Sequence, residues 1–453
     1  MDYTLVHYHT EHWERRCFEH VKERLLERGW PVQDVSFDPD AMTLGLVMDL
    51  QLGNIVKANR FGFVKRAQHG SSTLGFEEQR RLYAREIVDL SEPRWVFINT
   101  LFGLSEASFY AQIVDLMDQG ALPQLQGYER AYHELRSILN RTHMEGRLKA
   151  EIIADPQRYV QTDPAIGRTL EDLKASGKRL LLITNSEWFY TREMMRIAVD
   201  PFLEHHESWR EVFDIVIVGA RKPSFFSQSN PSFRVVDDAL GHLEPNLGSL
   251  EGGQAYLGGN ARQVEEALSL TGEEILYVGD HIFADVHVSK AMLRWRTALV
   301  VRELEAELQA LETFKPEQEK LTRMMHEKEN LEDAFSQLRI EMTRLDWARA
   351  ADDDSPKERI RVLKREMKKL RERLLALDAN IAPIARAHGK LGNDRWGLLF
   401  RAGNDKSHLA RQIERYADIY TSRVSNFLLE TPFVYLRSPR GSLPHDSGPS
   451  GGT

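Results

Sequence analysis

The stretch Glu273-Glu274-Ile275-Leu276-Tyr277-Val278-Gly279-Asp280-His281-Ile282-Phe283-Ala284-Asp285-Val286 sets a compact apolar run against a Gly-Asp turn, with a second carboxylate five residues on. Two other stretches share this plan. Arg168–Ser186 (RTLEDLKASGKRLLLITNS) passes from a helical pattern through Gly177 into Leu181-Leu182-Ile183 and stops at Thr184-Asn185-Ser186. Val212–Pro223 (VFDIVIVGARKP) runs through Val216–Val218 to Arg221-Lys222-Pro223. Short apolar runs that alternate with helices and end in polar clusters are the pattern of a parallel sheet. Its strands are buried on both faces, and its chemistry sits at their carboxyl ends. The fold class read from this pattern is α/β.

Each polar cluster has a chemistry and a plain alternative. Thr184, Asn185 and Ser186 offer hydroxyl and amide groups suited to phosphate oxygens, yet Thr-Asn after a strand is commonly a helix cap. Lys222 can neutralise phosphate charge, yet Lys-Pro is commonly a surface turn. Asp280 and Asp285 supply the hard oxygen ligands that Mg²⁺ prefers. Taken singly, the structural reading wins for the first two and is even for the third. All three at strand ends, in this order, argue for one phosphate site.

Outward from the sheet, residues 11–29 predict a helix stopped by Gly29. Gly45–Ala67 predicts a β-meander, and residues 75–150 predict mostly helix. Beyond Glu303, apolar positions alternate by three and four at Leu321, Met324, Leu331, Phe335, Leu338, Met342 and Leu345, with Lys328 in the same register. The rhythm resumes after Asp352–Pro356 at Ile360, Leu363, Met367, Leu370, Leu374 and Leu377. This predicts an antiparallel helical hairpin over 303–389, and a solvated hairpin packed on its own chain outweighs a partner-binding coil. Residues 438–453 are rich in Gly, Pro and Ser and predict a flexible tail.

The 453 residues are 42% hydrophobic and 28% charged, enough for a sizeable core, and the net charge of −8 argues against a general nucleic-acid or acidic-lipid binder. A lone cysteine, Cys17, excludes an intramolecular disulfide and fits a reducing compartment. No apolar run approaches the roughly 18 residues of a membrane helix. The first residues lack the order of a signal peptide. The expected location is cytoplasmic, without membrane or nucleic-acid partners.

Taken in order, the three strand ends resemble the haloacid dehalogenase (HAD) superfamily. Its motifs are Asp-x-Asp-x-Thr, a strand ending in Thr or Ser, a Lys, and an acidic Gly-Asp motif with a second Asp. Met1-Asp2-Tyr3-Thr4-Leu5 matches the first motif from its second residue onward. The resemblance implies a HAD-type Rossmann-like core from residues 1–12, 165–302 and 390–437. It also implies a mixed α+β cap at 13–164 and the hairpin as an insertion. Mg²⁺ would be held by Asp280 and the backbone carbonyl of Asp2, with Asp285 in support. Thr184 and Lys222 would be catalytic, and Asp2 would protonate the leaving alcohol and then activate water. The nucleophilic Asp of the motif would sit one position before Met1. The expectation is therefore an upstream start, and a degenerate, inactive relative is the competing reading.

Longer strings resemble the cytosolic purine 5′-nucleotidases that prefer IMP and GMP, and specifically bacterial-type members. These are Asn99-Thr100-Leu101-Phe102, Ala220–Pro223 with Phe225-Phe226, Gly279–Phe283, Trp295-Arg296-Thr297, Leu399-Phe400-Arg401 and Arg415–Asp418. This resemblance implies a Mg²⁺-dependent hydrolase of purine nucleoside 5′-monophosphates that works through an aspartyl-phosphate, with phosphotransfer to nucleosides as a second activity. Arg136, Asn140, His143 and Lys149 follow its basic substrate-binding spacing, with the first three on one helix face. Phe102 would stack on the base. Thr184, Asn185, Ser186 and Lys222 would meet the phosphate. Asn140 stands where the family carries Asp, and Gly103 replaces a larger polar residue, so the preferred purine stays open. Asn99, Phe283, Gln412, Arg415 and Tyr416 resemble parts of an effector site, with Ala291 replacing a Lys. A zinc site at His281 and His287 is rejected for want of ligand-spaced partners. The alternatives are an inactive nucleotide-binding regulator, a phosphatase for another phosphomonoester, and a scaffold centred on the hairpin. A homo-oligomer is possible under each.

Overall fold

The computed structural model describes residues 1–144, 146–351 and 357–434, with the side chains at 143, 144, 348–351 and 357 outside that description. The expected hairpin turn at Asp352–Pro356 and the expected tail at 438–453 lie outside the described residues. The chain divides into two compact units, residues 1–304 with 399–453, and residues 305–398.

The larger unit is mixed α/β and contains two parallel half-sheets. In one, the Leu181–Ile183, Ile215–Val218 and Gln254–Gly258 strands run parallel. An antiparallel extension through Ser232–Val235 and Leu243–Pro245 completes it. In the other, Leu276–Gly279, Arg296–Val300 and Ile419–Thr421 run parallel. The apolar runs of the sequence are these strands. Burial along them is uneven in an informative way. Ile215–Val218 is wholly buried, whereas Leu276 is 45% exposed and Leu181, Ile183 and Val278 are only partly covered. Leu181–Ile183 and Leu276–Gly279 are therefore edges of their half-sheets, although they carry two of the three polar clusters. One apolar core still joins the halves. Ile215, Ile217, Phe225, Phe226, Tyr256, Val264, Tyr277 and Trp295 pack together beneath the Ala261–Leu268 helix.

The Thr10–Glu27 helix buries Trp13, Cys17, Phe18, Val21 and Leu25, an i, i+3, i+4 stripe, and releases the chain at Gly29 with φ 76°. The meander forms from Val47–Asp49, Asn54–Ala58, Val64–His69 and Ser72–Thr73. A fifth strand, Trp95–Phe97, completes its sheet against Val47–Asp49 from inside the stretch read as mostly helical. Three residues are too few to show a period of two, so tertiary pairing decided that element. Asp49 is fully buried in this sheet and held by a two-pronged pair with Arg94 at 2.8 Å on each arm.

In the smaller unit, the Leu304–Ala351 and Lys357–His388 helices meet through Leu331, Leu377 and Ile381, with Leu321, Met324, Leu370 and Leu374 packed on them. Lys328–Asp378 (2.7 Å), Arg373–Glu327 (3.2 Å) and Arg359–Glu341 (2.7 Å) cross between the helices. Partner numbers fall on one helix as they rise on the other, so the pair is antiparallel. These exposed pairs fix register more than they stabilise.

Candidate active site

The first residues fold back on themselves. The Met1 carbonyl accepts from the backbone N–H groups of Thr4, Leu5 and Val6, and Tyr3 takes a left-handed φ of 52°. This tight turn brings Asp2 and Thr4 to the carboxyl ends of the strands. Ser186 Oγ donates to Asp2 Oδ2 at 2.8 Å, and Tyr8 OH donates to Asp2 Oδ1 at 2.5 Å. Thr4 Oγ1 donates to Asp280 Oδ1 at 2.9 Å. One short segment thus ties the first strand end to the third.

The second strand end is tied to both. The Lys222 backbone N–H donates to Asn185 Oδ1 at 2.6 Å, and Asn185 Nδ2 returns a bond to the Lys222 carbonyl at 3.1 Å. Lys222 Nζ reaches Asp285 Oδ1 at 2.8 Å, and Tyr277 lies beneath it with its ring 5.6 Å away. Asp285 Oδ2 also accepts from the His281 backbone N–H at 3.2 Å. Gly279 makes room for this carboxylate, since a Cβ there would lie 2.6 Å from Asp285 Oδ2. Thr184 is buried, and its Oγ1 accepts from the Ser186 backbone N–H at 3.1 Å.

The charges in this cluster are unequal. Burial alone would push Asp285 up, but the Lys222 ammonium and its hydrogen bond outweigh that and hold it below the usual carboxylate range. Burial would lower Lys222, and Asp285 raises it well past its ordinary value. Asp280 is pushed up, first by burial and then by the charge of Asp285. The buried Met1 amine is lowered, first by desolvation and then by Lys222. Lys222 is thus paired with Asp285, while burial and Asp285 hold Asp280 up against the opposing charges of the Met1 amine and Lys222. The oxygen donors of Asp280 and Asp2 suit a hard divalent cation better than zinc. Among the described residues no three His, Cys, Asp or Glu side chains converge as a ready-made metal cage. His281 instead caps the next turn, its Nδ1 accepting from the Ala284 N–H at 3.0 Å.

The candidate substrate-binding residues divide. Lys149, on the Arg147–Ala154 helix, pairs with Glu187 at 2.5 Å and lies 5.1 Å from the Tyr190 ring centre, so it reaches the strand-end cluster. Phe102 packs edge-on against Tyr3 at 4.8 Å and close to Trp13 at 5.5 Å, in an aromatic group that also holds Tyr8. Its ring is partly covered by these neighbours. Arg136 engages Tyr132, and Glu106 lies 3.9 Å away, so its charge already has partners. Asn140 is exposed on the same helix, and the His143 side chain lies outside the described residues. Farther off, Phe283, His287 and Tyr416 cluster through edge-on and tilted contacts, Arg415 lies against Tyr416, and Gln412 bonds His408.

Sequence reasoning missed Tyr8, Tyr190 and Tyr277. Each sits in an apolar or aromatic context that reads as core, and only its hydroxyl partner marks it.

The sequence model of the 5′ nucleotidase family matches residues 1–448. The chain is 26% identical over 462 aligned residues to a "5′-nucleotidase domain-containing protein" of Dictyostelium discoideum, covering 98% of this chain and 71% of that protein. It is also 26% identical to human "5′-nucleotidase domain-containing protein 2", covering 97% of this chain and 80% of the relative. No described helix is long and apolar enough to cross a membrane. With a match that runs through every strand end of the polar cluster, this chain belongs to the 5′-nucleotidase family.

Proposed function

We propose that this protein is a HAD-type, Mg²⁺-dependent phosphomonoesterase that hydrolyses purine nucleoside 5′-monophosphates, IMP and GMP foremost. One observation carries the reading: Asp2, Thr4, Asn185, Ser186, Lys222, Asp280 and Asp285, from segments far apart in sequence, join in contacts at the ends of three strands. In this reading the nucleophilic carboxylate belongs to the residue before Met1.

Asp280 and the Asp2 carbonyl would hold Mg²⁺, which when bound offsets phosphate charge and the repulsion around Asp280. The chain's own residues do the rest. Asp2 gives its proton to the departing 5′ oxygen as the phosphorus–oxygen bond breaks, and the phosphoryl group passes to the nucleophile. Asp2 then takes a proton from the water that releases phosphate. Thr184 and Lys222 hold phosphoryl oxygens, and Asp285 keeps Lys222 in place. Lys149 and the exposed Asn140 face the nucleoside from the cap.

The test is phosphate release from IMP, GMP, AMP and sugar phosphates, with Mg²⁺ and with chelator. It compares the 453-residue chain with a form extended upstream in frame. Turnover of the extended form alone, greatest with IMP or GMP, is the expected result. Binding without turnover by an extended form that carries the carboxylate would overturn it.

A further inference from the structure

Tyr8 is 2% exposed and Tyr190 3%, yet both hydroxyls are engaged. Tyr190 and Tyr8 hydroxyls lie 2.9 Å apart, and Tyr8 OH reaches Asp2 Oδ1 at 2.5 Å. A phenol has one proton to donate. With the Tyr8 proton committed to Asp2, the Tyr190 proton completes the pair by pointing at Tyr8. The order is Tyr190 to Tyr8 to Asp2, with Ser186 closing on the other carboxylate oxygen at 2.8 Å.

Tyr8 comes from the two-residue strand His7–Tyr8, which pairs with Val160–Gln161 and is packed against Trp13 at 4.6 Å. Tyr190 comes from the first turn of the Trp188–Ala198 helix, beside the Ser186 loop, and carries Lys149 over its ring. Two separate elements therefore converge on one carboxyl group. Donors on both oxygens stop that group rotating about its last bond and leave its remaining lone pairs for the proton it transfers.

We infer that Tyr8, backed by Tyr190, is the positioning residue for the Asp2 acid–base group. This rests on the phosphatase reading above. Tyr8 forms no bond to substrate and takes no proton from it. It fixes where the proton of Asp2 is delivered, and the aromatic pair couples that carboxyl group to Lys149 in the cap.

The experiment uses the form found active in the phosphate-release test and compares kcat/KM for a nucleoside 5′-monophosphate and for p-nitrophenyl phosphate. The nitrophenolate leaves without a proton, so only the first substrate needs the acid. Tyr8→Phe is expected to lower kcat/KM for the nucleotide by about tenfold to a hundredfold, with little change in KM, and for the nitrophenyl ester by less than about threefold. Tyr190→Phe is expected to give the same pattern more weakly, and the double variant to add little to Tyr8→Phe alone. Equal losses on both substrates, or no loss from either variant, overturn the inference. Asp2→Asn is the control that separates the two claims. If it keeps full turnover, or if the wild type releases no phosphate, the phosphatase reading itself falls and takes the inference with it.

Discussion

The strand-end cluster and the polar face of the Tyr128–Met144 helix carry similar residue types, yet the structure treats them differently. At the strand ends, Asp285 is buried, the Lys222 side chain is 10% exposed, and the two are 2.8 Å apart, with partners that come from all along the chain. On the helix, Arg136 and Asn140 follow helical spacing, and both are largely exposed to solvent. The difference teaches that spacing along a helix assigns a face but no environment. Loops at the ends of parallel strands are forced together by the sheet that carries them.

Breaking the buried side of this comparison should have the largest effect. Lys222→Ala leaves Asp285 without its cation in a desolvated site, which is expected to cost about 3–5 kcal/mol of stability and all turnover. Urea unfolding measures the first, and phosphate release the second.

Glu14 sharpens the contrast because it is fully buried and has no cation beside it among the described residues. Burial first, then Glu106, raises it to about 7, against the opposing hydrogen bonds from Ser105. Its folded value exceeds the unfolded one, so the neutral carboxyl contributes fully below about pH 4.5, and that contribution is lost as pH rises through 7. Glu14→Gln is therefore expected to stabilise the protein by up to about 3 kcal/mol at pH 8 and by little at pH 4.5. Equal effects at both pH values in urea titrations would show that Glu14 is not held neutral.

Gly279→Ala tests the geometry rather than the charge. Its methyl group would displace Asp285, an overpacking expected to cost about 1–3 kcal/mol and to weaken turnover more than substrate binding. Thermal unfolding and a split of kcat from KM check it. The smallest effect belongs to the exposed helix face. Asn140→Ala should change stability by less than about 0.5 kcal/mol while raising KM for the nucleotide a few-fold. A change in KM there with none in kcat would make the face a site of binding rather than chemistry.

Legibility in the sequence followed the same divide. The three apolar runs and the Thr10–Glu27 helix were legible because burial imposes its period locally. The polar clusters at Thr184, Lys222 and Asp280 were legible because strand ends collect such groups. The Trp95–Phe97 strand was not, since three residues inside a helical stretch carry no period of their own. Arg136 was read as a substrate-binding residue, and the structure supplies Tyr132 and Glu106 as partners. Tyr8 and Tyr190 carried no signal in the sequence, and their rings are buried.

The sequence by itself determined which segments become strands and helices and which donor types stand at their ends, because hydrophobic period and side-chain chemistry are properties of neighbours along the chain. Only the tertiary structure decided that Lys222 pairs with Asp285, that Thr4 meets Asp280, and that two tyrosines meet at Asp2. Those outcomes depend on burial and on distances between residues as much as 276 positions apart, as in Thr4 and Asp280, which no local pattern encodes.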